Sequence, residues 1–232
     1  MKRLTFSIIA LSALLSTCGA QTFVTPNGST IGTKPVNAEA DFTAGNGTLT
    51  IDLSNLLAAS GVQDVTQNLS AISFTFNGSG FGASSINSSF ATLATVNNGG
   101  SVTQNGTTTS VGWVLSGGAG TYSLDVLSGS GHAGPAHTLI GGVEGSTTAY
   151  ASANGSIAGN GPHNAFAQGE ADWTLSIAGV TPQSTVSSVT FQFGTTDGSN
   201  LITVPAPAPE PFSILGLALG SALLLRRRAA RR

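Results

Sequence analysis

Apolar and polar side chains alternate with a two-residue period in five stretches of the chain, which is the pattern of strands with one buried face. Helical periodicity is rare, and its best example, Leu53 to Ala59, is short. Asn-Gly pairs between the alternating stretches favour tight turns, because both residues tolerate positive φ. The pattern predicts an all-β fold, an antiparallel β-sandwich or jelly roll. Its apolar sets are Leu49-Ile51-Leu53, Ile72-Phe74-Phe76, Tyr122-Leu124-Val126, Trp173-Leu175-Ile177 and Val189-Phe191-Phe193.

The first residues, 1–20, have the organisation of a secretory signal peptide. Lys2 and Arg3 precede an apolar run from Leu4 to Leu15, and small residues follow as far as Ala20. Cleavage after Ala20 is the preferred interpretation, and it leaves a mature chain without cysteine. The alternative is a lipobox that ends at Cys18, in which case acyl groups on Cys18 anchor the chain.

The last residues combine a proline-rich spacer, 205–211, an apolar segment, 212–225, and a basic tail, 226–232. Alternating prolines favour an extended spacer. The apolar segment is shorter than the roughly 20 residues of a stable helical span, yet it ends against arginines as a membrane segment does. Positive charge beside both apolar segments predicts that both ends stay cytoplasmic and that residues 21–204 are exported. The membrane-retention charges are Arg226, Arg227, Arg228, Arg231 and Arg232.

Pro209-Glu210-Pro211, followed by the apolar run and the terminal arginines, resembles the PEP-CTERM sorting signal. The resemblance implies transient anchoring in the inner membrane and removal of the tail near the motif by an exosortase. It also implies export to the cell surface or extracellular matrix of a Gram-negative-type bacterium, with the secretion machinery and extracellular polysaccharide as candidate partners. Because it covers only about the last tenth of the chain, it indicates a destination and no activity.

Charge excludes nucleic acid as a partner of the central region. Residues 21–204 contain nine carboxylates and a single basic side chain, Lys34. Such a surface repels a phosphate backbone, whose binding requires clustered Lys and Arg.

Candidate metal ligands occur in two loops. His132 and His137, with His163 and either Asp125 or Glu144, have the side chains of a zinc or copper site. Their spacing is unlike that of common metal motifs and favours loops, so the sequence predicts neither a metal nor another cofactor. Likewise, the run that begins at Asp197 lacks the ligand series of a calcium loop and is predicted to be a turn.

Glu170 and Asp172 are the candidate catalytic pair. Two residues apart on a strand, they would share a face with carboxyls about 7 Å apart, a separation that an inverting glycosidase uses. The same spacing is also that of a solvated edge strand, the interpretation we prefer. No nucleophile motif accompanies them, so no catalytic residue is assigned.

Three functional classes follow from these observations. The first is a non-catalytic protein of the surface or matrix. The second is a carbohydrate-binding module with Trp113 as an exposed aromatic platform, since Trp173 follows a core-facing pattern. The third is a secreted glycan hydrolase that uses Glu170 and Asp172.

Overall fold

The computed structural model describes residues 20–206, which form an all-β domain. Residues 1–19, which include Cys18 and all but the last residue of the predicted signal peptide, and residues 207–232 lie outside the described residues. The sorting motif, the apolar segment and the arginines are therefore predictions on which the structure is silent. Within residues 20–206, no helix has the length and apolarity that a bilayer crossing requires.

Fourteen strands make up the described region, and three 3₁₀ helices lie between them. The strands are β1 (Ala20–Val24), β2 (Thr30–Ile31), β3 (Lys34–Pro35), β4 (Ala38–Ala44), β5 (Thr48–Asn55), β6 (Leu69–Phe76), β7 (Ser84–Val96), β8 (Val102–Thr108), β9 (Val114–Gly118), β10 (Thr121–Asp125), β11 (Leu139–Ile140), β12 (Phe166–Ile177), β13 (Val186–Phe193) and β14 (Leu201–Pro205). The 3₁₀ helices are Ala59–Gly61, Val65–Gln67 and Asn98–Gly100.

Twelve of these strands belong to one connected sheet that has two antiparallel parts. One part has the order β1-β4-β5-β12-β7-β8, and the other has the order β14-β13-β6-β10-β9. The short strand β11 joins the parts, because it pairs in parallel with β12 and antiparallel with β6. The predicted all-β, mostly antiparallel fold is confirmed.

The inner faces of the two parts meet in an aromatic and aliphatic core. Phe42 of β4 and Phe74 of β6 come from different parts, and their ring centroids lie 5.4 Å apart. Phe23 of β1 packs edge-on against Phe42 at 5.6 Å. Burial of these large side chains from both parts supplies the main driving force for folding.

The five alternating stretches form β5, β6, β10, β12 and β13, as predicted, except that Val126 directly follows the end of β10, and their apolar sets are buried. The helical candidate from Leu53 to Ala59 does not form a helix. Leu53 is paired on both sides, with Ala40 and with Ala171, so it continues β5. Only Ala59–Gly61 takes up a 3₁₀ turn. Strand pairing therefore overrides a weak local helical pattern.

Asn-Gly pairs have two different roles. Asn46-Gly47 connects β4 to β5 with Gly47 at φ 71°, as predicted for a tight turn. Asn105-Gly106, in contrast, lies inside β8, where Gly106 at φ 83° sits at an irregularity in the pairing with β7. This pair marks a bulge rather than a turn.

The two ends of the described region contact adjacent residues of β13. The Gln21 side chain exchanges two hydrogen bonds with the backbone of Val186, at 2.6 and 3.1 Å. The backbone N–H of Ala206 donates to the carbonyl of Ser187 at 2.8 Å. The chain therefore enters and leaves the domain at neighbouring points. Pro205, which the sequence places in the spacer, is the last residue of β14.

Candidate functional site

A cleft of about 770 Å³ lies in the part of the sheet that contains β5 and β12, at the point where these two strands separate. β5 pairs with β12 up to the pair Ser54–Glu170, and β11 then takes its place with the pair Ile140–Gln168. Beyond this point residues 55–60 follow one wall and residues 142–148 the other. Gln168, Gly169 and Glu170 lie between the two walls.

A bulge in β12 shapes the cleft. The pairing of β12 with β7 passes from Ala167–Leu93 to Ala171–Ala91, so Gln168, Gly169 and Glu170 together face the single residue Thr92. Such bulges bend a strand and redirect its side chains. Here the bulge directs consecutive residues of β12 toward the cleft.

Gly169 permits the close approach of the loop that carries Glu144. Its φ is 79°, and a Cβ atom at this position would lie 2.6 Å from the carbonyl oxygen of Gly142 and 2.8 Å from the amide nitrogen of Glu144. Only glycine accommodates both the positive φ and the backbone contact. Gly169 therefore brings Glu144 to the same cleft as Glu170.

The polar side chains of the cleft are held in place by hydrogen bonds. Thr92 Oγ1 donates to Glu144 Oε1 at 2.6 Å. Gln168, which is 1% exposed, donates to the carbonyl of Ser146 at 3.0 Å and to Tyr150 Oη at 3.2 Å. Its Oε1 accepts from Gln104 Nε2 at 2.9 Å. The floor of the cleft is therefore ordered before any ligand arrives.

The apolar part of the wall is exposed to solvent. Leu56 is 45% exposed and Val143 is 75% exposed, and they line the cleft together with Leu57, Ala58 and Ala59. Exposed apolar side chains beside a few convergent polar groups are typical of binding sites for small molecules.

Next to the cleft, three aspartates form a row across adjacent strands. Asp41 of β4 pairs with Asp52 of β5, which pairs with Asp172 of β12. Cross-strand neighbours on one face have Cβ atoms about 5 Å apart. β12 has partners on both sides, β5 and β7, so it is a central strand. The preferred interpretation of Glu170 and Asp172 as part of an edge strand is wrong.

These carboxyls titrate abnormally. Burial, then the charges of Asp52, Glu170 and Glu144, raise the pKa of Asp172 to about 6. Burial and the charge of Asp41 raise the pKa of Asp52, and burial followed by the charge of Glu144 raises that of Glu170. Asp172 Oδ1 is buried with no hydrogen-bond partner among the described residues. A proton on Asp172 supplies a hydrogen bond to Asp52, which favours the half-protonated pair.

Although Glu170 and Asp172 share a strand, they border different cavities. Glu170 lines the cleft with Glu144. Asp172 lines a depression of about 240 Å³ together with Phe90, Ser88, Ser89 and Thr109. The carboxylate that accompanies Glu170 in the cleft is thus Glu144 and not the predicted Asp172.

The candidate metal ligands have separate roles. His137 Nδ1 lies 2.8 Å from the carbonyl oxygen of Val111, and His163 Nδ1 lies 2.7 Å from that of Ser156. Asp125 caps its own turn by accepting from Ser128 Oγ at 2.7 Å, and His132 is exposed. Residues 20–206 contain no group of three or more His, Cys, Asp or Glu side chains that could hold a metal ion. Asp197 lies in the turn between β13 and β14, as predicted.

Trp113 is not an exposed platform, and that prediction is wrong. The side chain is 4% exposed, its ring lies 5.0 Å from that of Trp173, and its Nε1 donates to the carbonyl of His137 at 3.0 Å. The loop before β9 folds over the core and buries the indole beside Trp173, which is itself buried as predicted.

Sequence reasoning identified Glu170 but missed the walls of the cleft. Leu56 and Val143 lie in segments without periodicity, and Gly169 interrupts the alternation of β12. The glycine inside an apolar–polar alternation was the one available signal, because such a glycine often marks a bulge or a close backbone approach.

Comparison with protein-family models and with curated proteins gives no match for this chain. The functional proposals therefore rest on its own motifs and geometry.

Proposed function

We propose that this chain is an exported, non-catalytic protein of the cell surface or extracellular matrix, sorted by its C-terminal signal. The observation that carries the proposal is the order of Pro209-Glu210-Pro211, the apolar run and the terminal arginines. The exported part is the β domain, for which we propose an antiparallel β-sandwich architecture with its two sheet parts packed face to face. Exosortase and the secretion machinery are its transient partners, and the membrane contacts it through the C-terminal segment before processing.

The position of the chain ends supports this topology. Gln21 and Ala206 hydrogen-bond to adjacent residues, Val186 and Ser187, so both flanking segments start from one place on the domain. Neighbouring starting points allow both segments to run toward the same membrane surface, in line with the topology that the flanking charges favour.

The charge of the domain supports an extracellular role without nucleic acid. Nine carboxylates against one lysine give residues 21–204 a formal charge of −8. Lys34 is engaged, with Asp64 at 3.7 Å and Gln63 Oε1 at 2.5 Å. A strongly acidic surface keeps a secreted domain soluble and repels anionic polymers.

The carboxyl arrangement does not support the catalytic pair that the sequence offers for a hydrolase. The pair predicted for a hydrolase, Glu170 and Asp172, is divided between two cavities. A glycosidase needs its acid and its base or nucleophile on either side of one scissile bond. The second class, a carbohydrate-binding module, keeps support from the cleft although Trp113 is buried.

The sorting signal is tested by substitution in a bacterium that encodes an exosortase. Replacing Pro209, Glu210 and Pro211 together by alanine should leave an unprocessed, membrane-bound protein, because the enzyme would no longer recognise the tail. The matched control, Pro207→Ala, changes a proline outside the motif and should be processed like the wild type. Normal processing and release of the triple variant would contradict the proposal.

A further inference from the structure

The cleft between Glu144 and Glu170 has no role in sorting. We propose that it binds a saccharide chain with free ammonium groups, that is, an oligomer of an amino sugar. This inference deepens the second class proposed above, a carbohydrate-binding module, and rests on the geometry of the cleft, whether or not the chain is exported.

The shape and hydroxyl content of the cleft favour a sugar. Its volume of about 770 Å³ is within the range of small-molecule sites. Ser54, Ser60 and Thr148 place hydroxyl groups on both walls. Each hydroxyl can donate and accept, which matches the alternating donors and acceptors of a sugar ring.

The apolar strip complements the remaining surface of such a ring. Leu56 and Val143 are exposed on opposite walls, at 45% and 75%. The faces of a pyranose ring present C–H groups, whose burial against these side chains removes apolar surface from water. The cleft therefore offers hydroxyl groups to the polar edges of the sugar ring and apolar side chains to its faces.

The negative charge of the cleft favours a sugar that carries ammonium groups. Glu144 and Glu170 face the same cleft, and the only basic side chain of residues 21–204, Lys34, is paired with Asp64. An ammonium group relieves the repulsion between the two carboxylates and makes charge-assisted hydrogen bonds. An acidic sugar would add a further negative charge and is excluded.

The site is pre-formed. Thr92 donates a hydrogen bond to the Glu144 carboxylate, and Gln104, Gln168 and Tyr150 form a hydrogen-bonded network at the floor of the cleft. Gly169 allows the loop that carries Glu144 to pack closely against β12. A ligand therefore meets side chains whose conformational freedom is already reduced, which favours affinity.

Isothermal titration of the purified protein with two matched ligands tests the proposal. The glucosamine tetramer and the N-acetylglucosamine tetramer differ only in the charge and acetylation of the amine. At about pH 6 we expect the first to bind at least about tenfold more tightly, because only its amines carry ammonium charge. Glu144→Gln and Glu170→Gln should each reduce that affinity by about tenfold, because the amide keeps an acceptor but loses the charge.

Asp197→Asn is the control, because it removes the same charge from the turn between β13 and β14, in the other part of the sheet, and should leave affinity within about twofold. Spermidine, an aliphatic cation without a sugar ring, should bind more weakly than the glucosamine tetramer. Equal binding of the acetylated tetramer would overturn recognition of the ammonium group, and equal binding of spermidine would overturn recognition of the sugar. Absence of binding by both tetramers, or an equal loss of affinity with Asp197→Asn, would overturn the site itself.

Discussion

Asp52 on β5 lies directly opposite Asp172 on β12, and Asp41 continues the row on β4. Like charges at directly opposed positions destabilise a sheet, and burial adds to the cost of ionising them. The domain therefore holds a repulsive element near the centre of one sheet part, beside the cleft that contains Glu170 and Glu144.

The first prediction concerns pH. The pKa of Asp172 is raised to about 6 in the folded protein from an ordinary value of 3.8, and those of Asp52 and Glu170 are raised as well. A group whose pKa is higher in the folded state stabilises the fold below its unfolded pKa and loses that contribution as pH rises through the folded value. We expect thermal unfolding temperature to decrease between about pH 4 and pH 7. A temperature that increases across this range would contradict the account of the row.

The second prediction isolates Asp172. Asp172→Asn removes a charge and keeps the shape, so it should stabilise the protein at neutral pH by roughly 1 kcal/mol, less than the full pKa shift implies because solvent screens the pair. Near pH 4, where Asp172 is largely protonated, the substitution should have little effect. Asp197→Asn, in the exposed turn before β14, is the control and should change stability at neither pH. Denaturant unfolding at the two pH values measures the difference, and equal effects of the two variants would refute it.

The buried faces of five of the fourteen strands follow from the sequence, because alternation identifies a buried face without knowledge of its partners. It identified the apolar sets of β5, β6, β10, β12 and β13, and the inward face of Trp173. It did not show that β12 is central, because pairing partners such as β5 and β7 are distant in sequence. Trp113 was misjudged for the same reason, since only the tertiary packing of its loop against Trp173 buries it. The cleft could not be predicted from the sequence, because it is formed by a bulge in β12 and by the close backbone contact at Gly169.

The third prediction tests the buried role of Trp113. Trp113→Ala removes an indole that packs on Trp173 and donates to His137, and it should destabilise the protein by about 3–5 kcal/mol. Phe90→Ala is the control, since Phe90 is 39% exposed and its loss should cost far less. Urea unfolding midpoints compare the two. If Trp113→Ala proved as mild as Phe90→Ala, the indole would have to be exposed in solution.

The fourth prediction concerns Gly169. Gly169→Ala introduces a Cβ atom 2.6 Å from the carbonyl oxygen of Gly142, in addition to the strain of a positive φ. Gly198→Ala is the matched control, because Gly198 also has a positive φ, 70°, with no atom within 4 Å of the added Cβ. The control should lower the free energy of unfolding by about 1 kcal/mol, and Gly169→Ala should lower it by more. Gly169→Ala should also speed proteolysis of the loop around residues 142–148. Identical unfolding midpoints for the two variants would show that the loop does not pack on β12 as described.

The central claim, export with removal of both ends, is tested most directly by the intact mass of the protein recovered from the medium of its native host. Cleavage after Ala20 and near Pro209-Glu210-Pro211 leaves Lys34 as the only basic side chain, and Pro35 follows it. Because proline after lysine generally blocks trypsin, we predict a mass that matches a chain without either end and that trypsin does not change even after denaturation. A released protein whose mass includes Arg226 to Arg232, and which loses C-terminal peptides to trypsin, would contradict the account.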